Sequence, residues 1–437
     1  MSNSNRRVVI TGVGLISPLG NSATDLWGHL SQRQSGVDYL RALPVEHFAT
    51  QIGGEARDFT GNIDNFGALD KTLKRSLKKG LRLMCREIEM GVAAAQLALQ
   101  DAGLDAEQRD PERIGTVFGT DYIMTLPQEF SAGIRKCING QDRFHFEQWG
   151  EEGLAQVAPL WLLKYLPNMP ASHVAIYNDL RGPSNTLTMR EASSNAAIAE
   201  AVTTIRRGTA DAMLAGATGT RIHPLRSVHV AMQESLVNGV ANPAAASRPF
   251  EKNRTGMVLG EGAGVVLLES QESAEARSAK ILGEVVGYAS SSVANVRAVA
   301  DYRQAFENVL TIALRNADMT PTQVGHVHAH GNSTIRSDQE EAAAIDEVFG
   351  EAGTPVTAAK SYMGNLGAGS GVVEIIASLQ ALLHQELFPI LNYETPDPQC
   401  PLRAADPEQH SPGDSFLNVN ITPFGQASGV LVRKYAG

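Results

Sequence analysis

Several glycine-punctuated segments of the sequence carry side chains able to do chemistry. AHGNST (Ala329–Thr334) follows the run VGHVH, so His330 stands at the end of a predicted buried strand, just before a glycine turn. Active sites of α/β folds gather there, which points to catalysis for His330. His326, His328 and His330 alternate, so on one regular strand they share a face, and a metal site is geometrically possible. No Cys or carboxylate lies within the strand to complete a ligand set, and His326 and His328 read as satisfied structural residues. KSYMGNLGAGSG (Lys360–Gly371) places Lys360 and Asn365 in a stretch whose glycines let the backbone approach another group closely. NITPFGQASG (Asn420–Gly429) has the same loop style and holds Phe424 and Gly425. REASSNAAIAEA opens an Ala-rich helix with Glu191 at its start, where the helix macrodipole favours an anion. On spacing alone, an ordinary first-turn carboxylate is the better reading of Glu191. TGVGLISPLG offers GxG but puts Ser17 where a dinucleotide fingerprint has its third glycine, so a tight strand-to-helix turn accounts for it better.

The elements that must position these residues alternate. Strands are predicted over Arg7–Gly14, Ile114–Phe118, Ala212–Ala215, Gly264–Glu269, Val324–His330, Phe416–Asn420 and Val430–Lys434. Helices are predicted over Val92–Ala102, Asn195–Arg207, Asp301–Asn316 and Gly371–Leu383, the first and second stopped by Gly103 and Gly208. Strand–helix alternation with fully apolar strands argues an α/β fold with buried sheets. Residues 141–169 hold two of the three Trp and are the least regular stretch, readable as a cap or an interface insertion.

Composition is that of an ordinary globular protein. The 437 residues are 43% hydrophobic and 19% charged, enough apolar material for a large core. A net charge of -10 argues against nucleic acid or an anionic membrane as the main partner. Lys71, Lys74, Arg75, Lys78, Lys79, Arg82 and Arg86 nonetheless form a local basic run, readable as a solvated helix face or as a docking surface for an acidic protein. Cys85, Cys137 and Cys400 are isolated, with no CxxC or Cys/His spacing, which supports neither a zinc site nor a disulfide framework and fits a reducing cytoplasm. The start MSNSNRRVVITGVG has no apolar signal core, and no run of about 18 apolar residues predicts a membrane span.

Taken together, these segments resemble the elongating β-ketoacyl-acyl-carrier-protein synthases of fatty-acid and polyketide assembly. The resemblance runs in fixed order through RRVVITGVGLISPLGN, LRGPSNTLT, GTADAMLAGATG, AAASRPFEKNRTGMVLGEGAGVVLLE, VHAHGNST with SDQEEAAAI, and KSYMGNLGAGSG. It implies an α/β thiolase-like fold of two similar α/β halves in a five-layer αβαβα arrangement. Residues 1–262 would form the first half, with a cap at about 120–170, and residues 263–437 the second. In that family a nucleophilic Cys starts a helix seven residues after the Ser of RGPS. Counting from Ser184, that position here is Glu191. By the same resemblance His330 matches the first catalytic His, Asn365 takes the place of the second, and Lys360 matches the family's Lys. Asp338 and Glu341 match acidic residues beside the site, and substrate contact falls to Ser333, Thr334, Phe424 and Gly425. The C-terminal gating loop, GFGG in relatives, reads PFGQ, with Pro423 and Gln426 in place of glycines.

The family reaction uses the Cys thiolate to take an acyl group, then decarboxylates malonyl-carrier to a carbanion that attacks it. A carboxylate at residue 191 is a poor nucleophile, so a stable acyl-enzyme is not expected. Decarboxylation needs only donors for the enolate oxygen, a role open to His330 and Asn365. Lys360 and His330 are the expected neighbours of Glu191. The leading expectation is therefore a decarboxylase or atypical condensing enzyme. The alternatives are a non-catalytic partner that shapes the chain tunnel of an active ketosynthase, and a carrier- or acyl-binding protein. The implied partners are an acyl carrier protein, whose phosphopantetheine arm delivers substrate with no other bound cofactor, and a second subunit in a homodimer or heterodimer.

Overall fold

In the computed structural model, which describes residues 6–44, 48–297 and 299–437, the strands lie side by side in one continuous order. That order is Val356–Thr357, His326–His328, Ser415–Ile421, Gln426–Arg433, Gly283–Ser292, Val8–Ile16, Leu259–Ser270, Ala212–Thr220, Ile114–Thr120, Ser184–Thr188. Two short strands, Asp38–Tyr39 and Ile52–Gly54, attach beside Leu259–Ser270.

The order contains one pattern twice. Leaving aside those two short strands, the strands within residues 8–270, counted along the chain, lie as first, fifth, fourth, second, third, and within residues 283–433 they do so again. In each set the second strand is parallel to the third and fourth, and the fifth is antiparallel to the fourth and first. Val8–Ile16 and Gly283–Ser292, the two first strands, join the halves through Val9 and Glu284. The division expected between residues 262 and 263 falls inside the strand Leu259–Ser270.

Helices Ser193–Arg206 and Ser370–His384 each follow the third strand of their half and contact strands of both halves. Every residue from Ser370 to Leu382 is buried, as a helix covered on all sides must be. Gly371 permits the approach of the two central helices, because a Cβ there would sit 2.7 Å from the Cβ of Ser194. Arg86–Asp101 covers the outer face of the first half, and Tyr302–Ala317, backed by Ile335–Phe349, covers that of the second. The layers run helix, sheet, helix, sheet, helix, as expected of two similar α/β halves.

The predicted strand over Val324–His330 pairs only over His326–His328, because the His330 N–H leaves the ladder to donate to Glu341 Oε1 at 2.6 Å. The strand Gly283–Ser292 and the charge-rich helix Ile335–Phe349 are elements the sequence reading does not place. Burial between neighbours decides the strand against its propensity. No helix among the described residues is long and apolar enough to cross a membrane.

Candidate active site

The loops at the C-terminal ends of the parallel strands converge at one place. Lys360, wholly buried, opens a short helix after Val356–Thr357 and makes a buried ion pair with Glu374 on the central helix. Its Nζ also donates to Asn420 Oδ1 at 3.1 Å. Glu374 Oε2 accepts from the Nδ2 groups of Asn418 and Asn420 at 2.9 and 2.8 Å. Asn420 is thereby oriented, amide nitrogen toward Glu374 and carbonyl toward Lys360. That carbonyl lies 3.0 Å from His330 Nδ1, so Nδ1 carries the proton and Nε2 a lone pair. Burial, reinforced by the Lys360 cation, lowers the His330 pKa to about 4, and the ring is neutral at pH 7. Lys360 is thus paired with Glu374, not with Glu191 as expected from the sequence: its helix faces the central helix, and Glu191 has closer cations.

Asp338 and Glu341 hold the turn that carries His330. Glu341 accepts from the backbone N–H of His330 and Gly331 at 2.6 and 2.8 Å, and Asp338 from Asn332 and Phe250 at 3.0 and 2.9 Å. Both carboxyls are wholly buried, and burial pushes Glu341 up to about 8 and Asp338 to about 6. His326 and His328 also turn toward the central helix: Nε2 of the first and Nδ1 of the second share the Ser378 hydroxyl at 3.0 and 2.8 Å.

Glu191 lies in the turn Arg190–Ala192 that leads into the central helix, and is 1% exposed. Arg190 just before it has φ 52°, a left-handed conformation that costs a non-glycine residue about 1 kcal/mol or more. Glu191 Oε1 accepts a short hydrogen bond from Arg221 Nη2 and a longer one, 3.3 Å, from Asn365 Nδ2. Arg190 Nε stands 3.5 Å from Oε2. Burial alone would raise this carboxyl, but the guanidinium charges of Arg221 and Arg190 reverse the effect and hold it well below the usual carboxylate range, at about 2. Glu234, which meets Arg190 Nη2 at 3.2 Å, moves the other way, raised by burial and by the charge on Glu191. Asn365 is fixed by its backbone N–H to Val258 O at 2.9 Å and by its side chain to Asn332 Oδ1, also 2.9 Å.

A cavity of about 390 Å³ opens this site to solvent, lined among others by Glu234, His330, Asn332, Thr334 and Pro423. Of the residues expected to touch substrate, Thr334 lines it. Ser333 does not: it is wholly buried, and its hydroxyl accepts the Arg248 N–H at 2.6 Å. Gly425 is buried too, while Phe424 is 54% exposed and stands over the Arg190 guanidinium at 5.6 Å. The loop around Phe424 is a tight hairpin turn. Thr422 N–H donates to Gln426 O, Gly425 N–H to Thr422 O, and Tyr302 Oη to Pro423 O, all at 2.9–3.0 Å. Gln426 is already the first strand residue, opposite Ser292. Replacing Pro423 by Gly removes the fixed φ of this turn. It is expected to speed amide exchange at Phe424–Gln426 by about tenfold, measured by hydrogen–deuterium exchange. An unchanged rate means the tyrosine and the strand pairing, not the proline, hold the loop.

Sequence reading missed Arg221, Asn420, Glu374, Asn332 and Glu234. Arg221 follows the strand Ala212–Thr220 in TGTRIHP, where nothing local signals a carboxylate thirty residues upstream. Asn420 lay at the edge of a motif already singled out, and the alternation NVNIT (Asn418 and Asn420 on one face of a buried strand) is the one local signal that both carry polar work.

The repeated half, the two buried central helices and the site at the ends of the parallel strands define a thiolase-like protein. The chain belongs to the β-ketoacyl synthase family. Residues 5–274 match the family described as "Beta-ketoacyl synthase, N-terminal domain" and residues 282–394 that described as "Beta-ketoacyl synthase, C-terminal domain". It is 33% identical over 401 residues to the 3-oxoacyl-[acyl-carrier-protein] synthase 2 of Synechocystis, covering 91% of this chain and 90% of the relative. It is 31% identical to the same-named protein of Staphylococcus aureus, covering 99% of both. Among solved structures, the ishigamide ketosynthase/chain length factor superposes with a TM-score of 0.82 at 26% identity, covering 99% of this chain and 100% of that one. A type II polyketide acyl-carrier protein in complex with its ketosynthase, bound to the hexaketide, gives 0.80 at 26% with the same coverage.

Proposed function

We propose that this chain is a subunit that forms no acyl-enzyme itself and pairs with a cysteine-bearing synthase of the same family in building carrier-bound acyl chains. The observation that carries this is the state of Glu191: buried, ionised and ion-paired with Arg221. Its place at the start of a central helix, beside His330 and Asn365, supports its standing where relatives keep the nucleophilic Cys. A carboxylate held at so low a pKa neither attacks a thioester nor welcomes a malonyl carboxylate or an enolate, which like charge repels. His330 offers no proton to an enolate either, because its one N–H is spent on Asn420. Asn365 Nδ2 already points at Asn332, Met257 and Glu191. These facts weigh against the decarboxylase or atypical condensing enzyme first expected from the sequence.

A pairing surface supports the same reading. Ser184–Thr188 is an edge strand with one neighbour and exposed or half-exposed residues throughout. A free strand edge is a template for another chain. The ketosynthase/chain length factor among the solved relatives is an assembly of that kind by its name. Co-expression with the cysteine-bearing synthase encoded nearest to it is the test. A stable heterodimer that makes longer acyl-carrier product than the synthase alone is expected. Carbon dioxide release from malonyl-carrier by the isolated chain, above the uncatalysed rate and lost in His330→Ala, overturns the proposal.

The basic run gives the carrier a place to dock. Lys71, Arg75, Lys78, Lys79 and Arg82 are exposed, and Lys74 pairs with Asp64 at 2.6 Å. Arg86 does not belong to that face: it turns inward to Glu261 at 2.6 Å. Reversing both charges at Lys78 and Lys79 is expected to slow association of an acidic carrier by about tenfold at low salt. Stopped-flow mixing measures this, and an unchanged rate assigns docking elsewhere.

A further inference from the structure

Behind Glu191 lies a set of buried charges, Arg190, Arg221, Arg226, Glu87 and Asp121. Among the described residues, Arg221, 0% exposed, keeps Nε and Nη1 without hydrogen-bond partners, as do Arg190 Nε, Arg226 Nη2, Glu191 Oε2 and Asp121 Oδ2. Arg226 reaches Glu87 at 3.1 Å and Asp121 at 3.5 Å, and Arg190 stands 3.9 Å from Asp121. Within the cluster Glu191 bonds Arg221 and Arg226 bonds Glu87, while Asp121 Oδ2 is held by charge at 3.5 Å from Arg226 and 3.9 Å from Arg190. Well-packed apolar side chains of the same volume commonly hold a fold as well or better than such a cluster. What apolar side chains cannot do is refuse a hydrocarbon.

The solvent cavity ends on His330, Asn332 and Glu234, and Asn365 bridges Asn332 to Glu191. Beyond it Glu191 bonds Arg221, and Arg190 stands between Glu191 and Asp121, which Arg226 also reaches. We infer that Glu191 and Arg221, with Arg190 and Asp121, form a charged stopper that bars acyl chains from the interior of this subunit, so that a chain grows only in its partner. This rests on the reading of residue 191 given above. A methylene pressed against these groups displaces no water it could profit from and weakens the charges' contacts with one another.

The test uses acyl-pantetheines from acetyl to octanoyl, titrated calorimetrically. For the native chain, affinity is expected to be independent of acyl length. Glu191→Ala/Arg221→Ala removes one charge of each sign and leaves space, so affinity should rise about fourfold for each methylene that the space takes. A native chain whose affinity climbs with length, or a double variant whose affinity does not, overturns the stopper. If the double variant fails to fold, Glu191→Cys gives a second measurement, since a thiolate can still pair with Arg221. The introduced thiolate attacks the thioester carbonyl, the bond from carbonyl to pantetheine sulfur breaks, and pantetheine leaves as the thiol. Mass spectrometry should find acetyl transferred at least a hundredfold faster than octanoyl. Equal loading of both overturns the stopper alone, whereas loading of neither overturns the placement of residue 191 and the stopper with it.

Discussion

Arg221→Ala should cost the folded protein about 3–5 kcal/mol, because it strands the buried Glu191 carboxylate with Arg190 as its one remaining ion-pair partner among the described residues. The pair is worth much less than that figure suggests. Glu191→Gln/Arg221→Met, which removes both charges at similar volume, should recover most of the loss, since the cost lies in leaving one partner alone. Urea unfolding at constant slope measures both variants. Recovery no better than additive would show that the two side chains act separately. The native pair also predicts a pH dependence of known sign. The Glu191 carboxyl is held near 2 in the folded chain against an ordinary 4.5. Below 4.5 the unfolded chain therefore takes up a proton that the folded chain refuses. This contribution is complete above pH 4.5 and is lost as pH falls toward 2, a loss the doubly neutral variant should lack.

Glu374→Gln should have a comparable effect, again about 3–5 kcal/mol, because Lys360 is buried and Glu374 is its only anion within ion-pair distance among the described residues. It should also be felt at His330. Glu374 orients Asn420, and Asn420 fixes the imidazole tautomer. A neutral amide at residue 374 no longer forces the Asn420 carbonyl toward the ring, so the proton is free to move to Nε2. Nitrogen NMR of the labelled histidine reads the tautomer directly. A ring that keeps its proton on Nδ1 in the variant would place the orienting contact elsewhere.

Most of the site was legible because its residues sit in local motifs whose job is backbone geometry. AHGNST needs a glycine at Gly331 (φ 48°), and KSYMGNLGAGSG needs Gly364 (φ 72°), whose added Cβ would lie 2.9 Å from Val258 O. Such demands constrain adjacent residues and so survive in the order of letters. The partners of those residues were not legible. Lys360 looked like a neighbour of Glu191 because both are motif residues of opposite charge, but the fold gives each a different counter-ion.

The apolar strands and the Ala-rich helices, by their period and their glycine stops, determined an α/β fold, and the motif order determined the family. Local periodicity records which face of a segment is buried, and that suffices for these conclusions. Only the tertiary structure decided that Arg221 neutralises Glu191, that Glu374 takes Lys360, and that His330 presents a lone pair. Each of these pairs joins elements 14 to 90 residues apart. The energy of a buried charge depends on the distance to its partner through space, and spacing along the chain does not encode that distance.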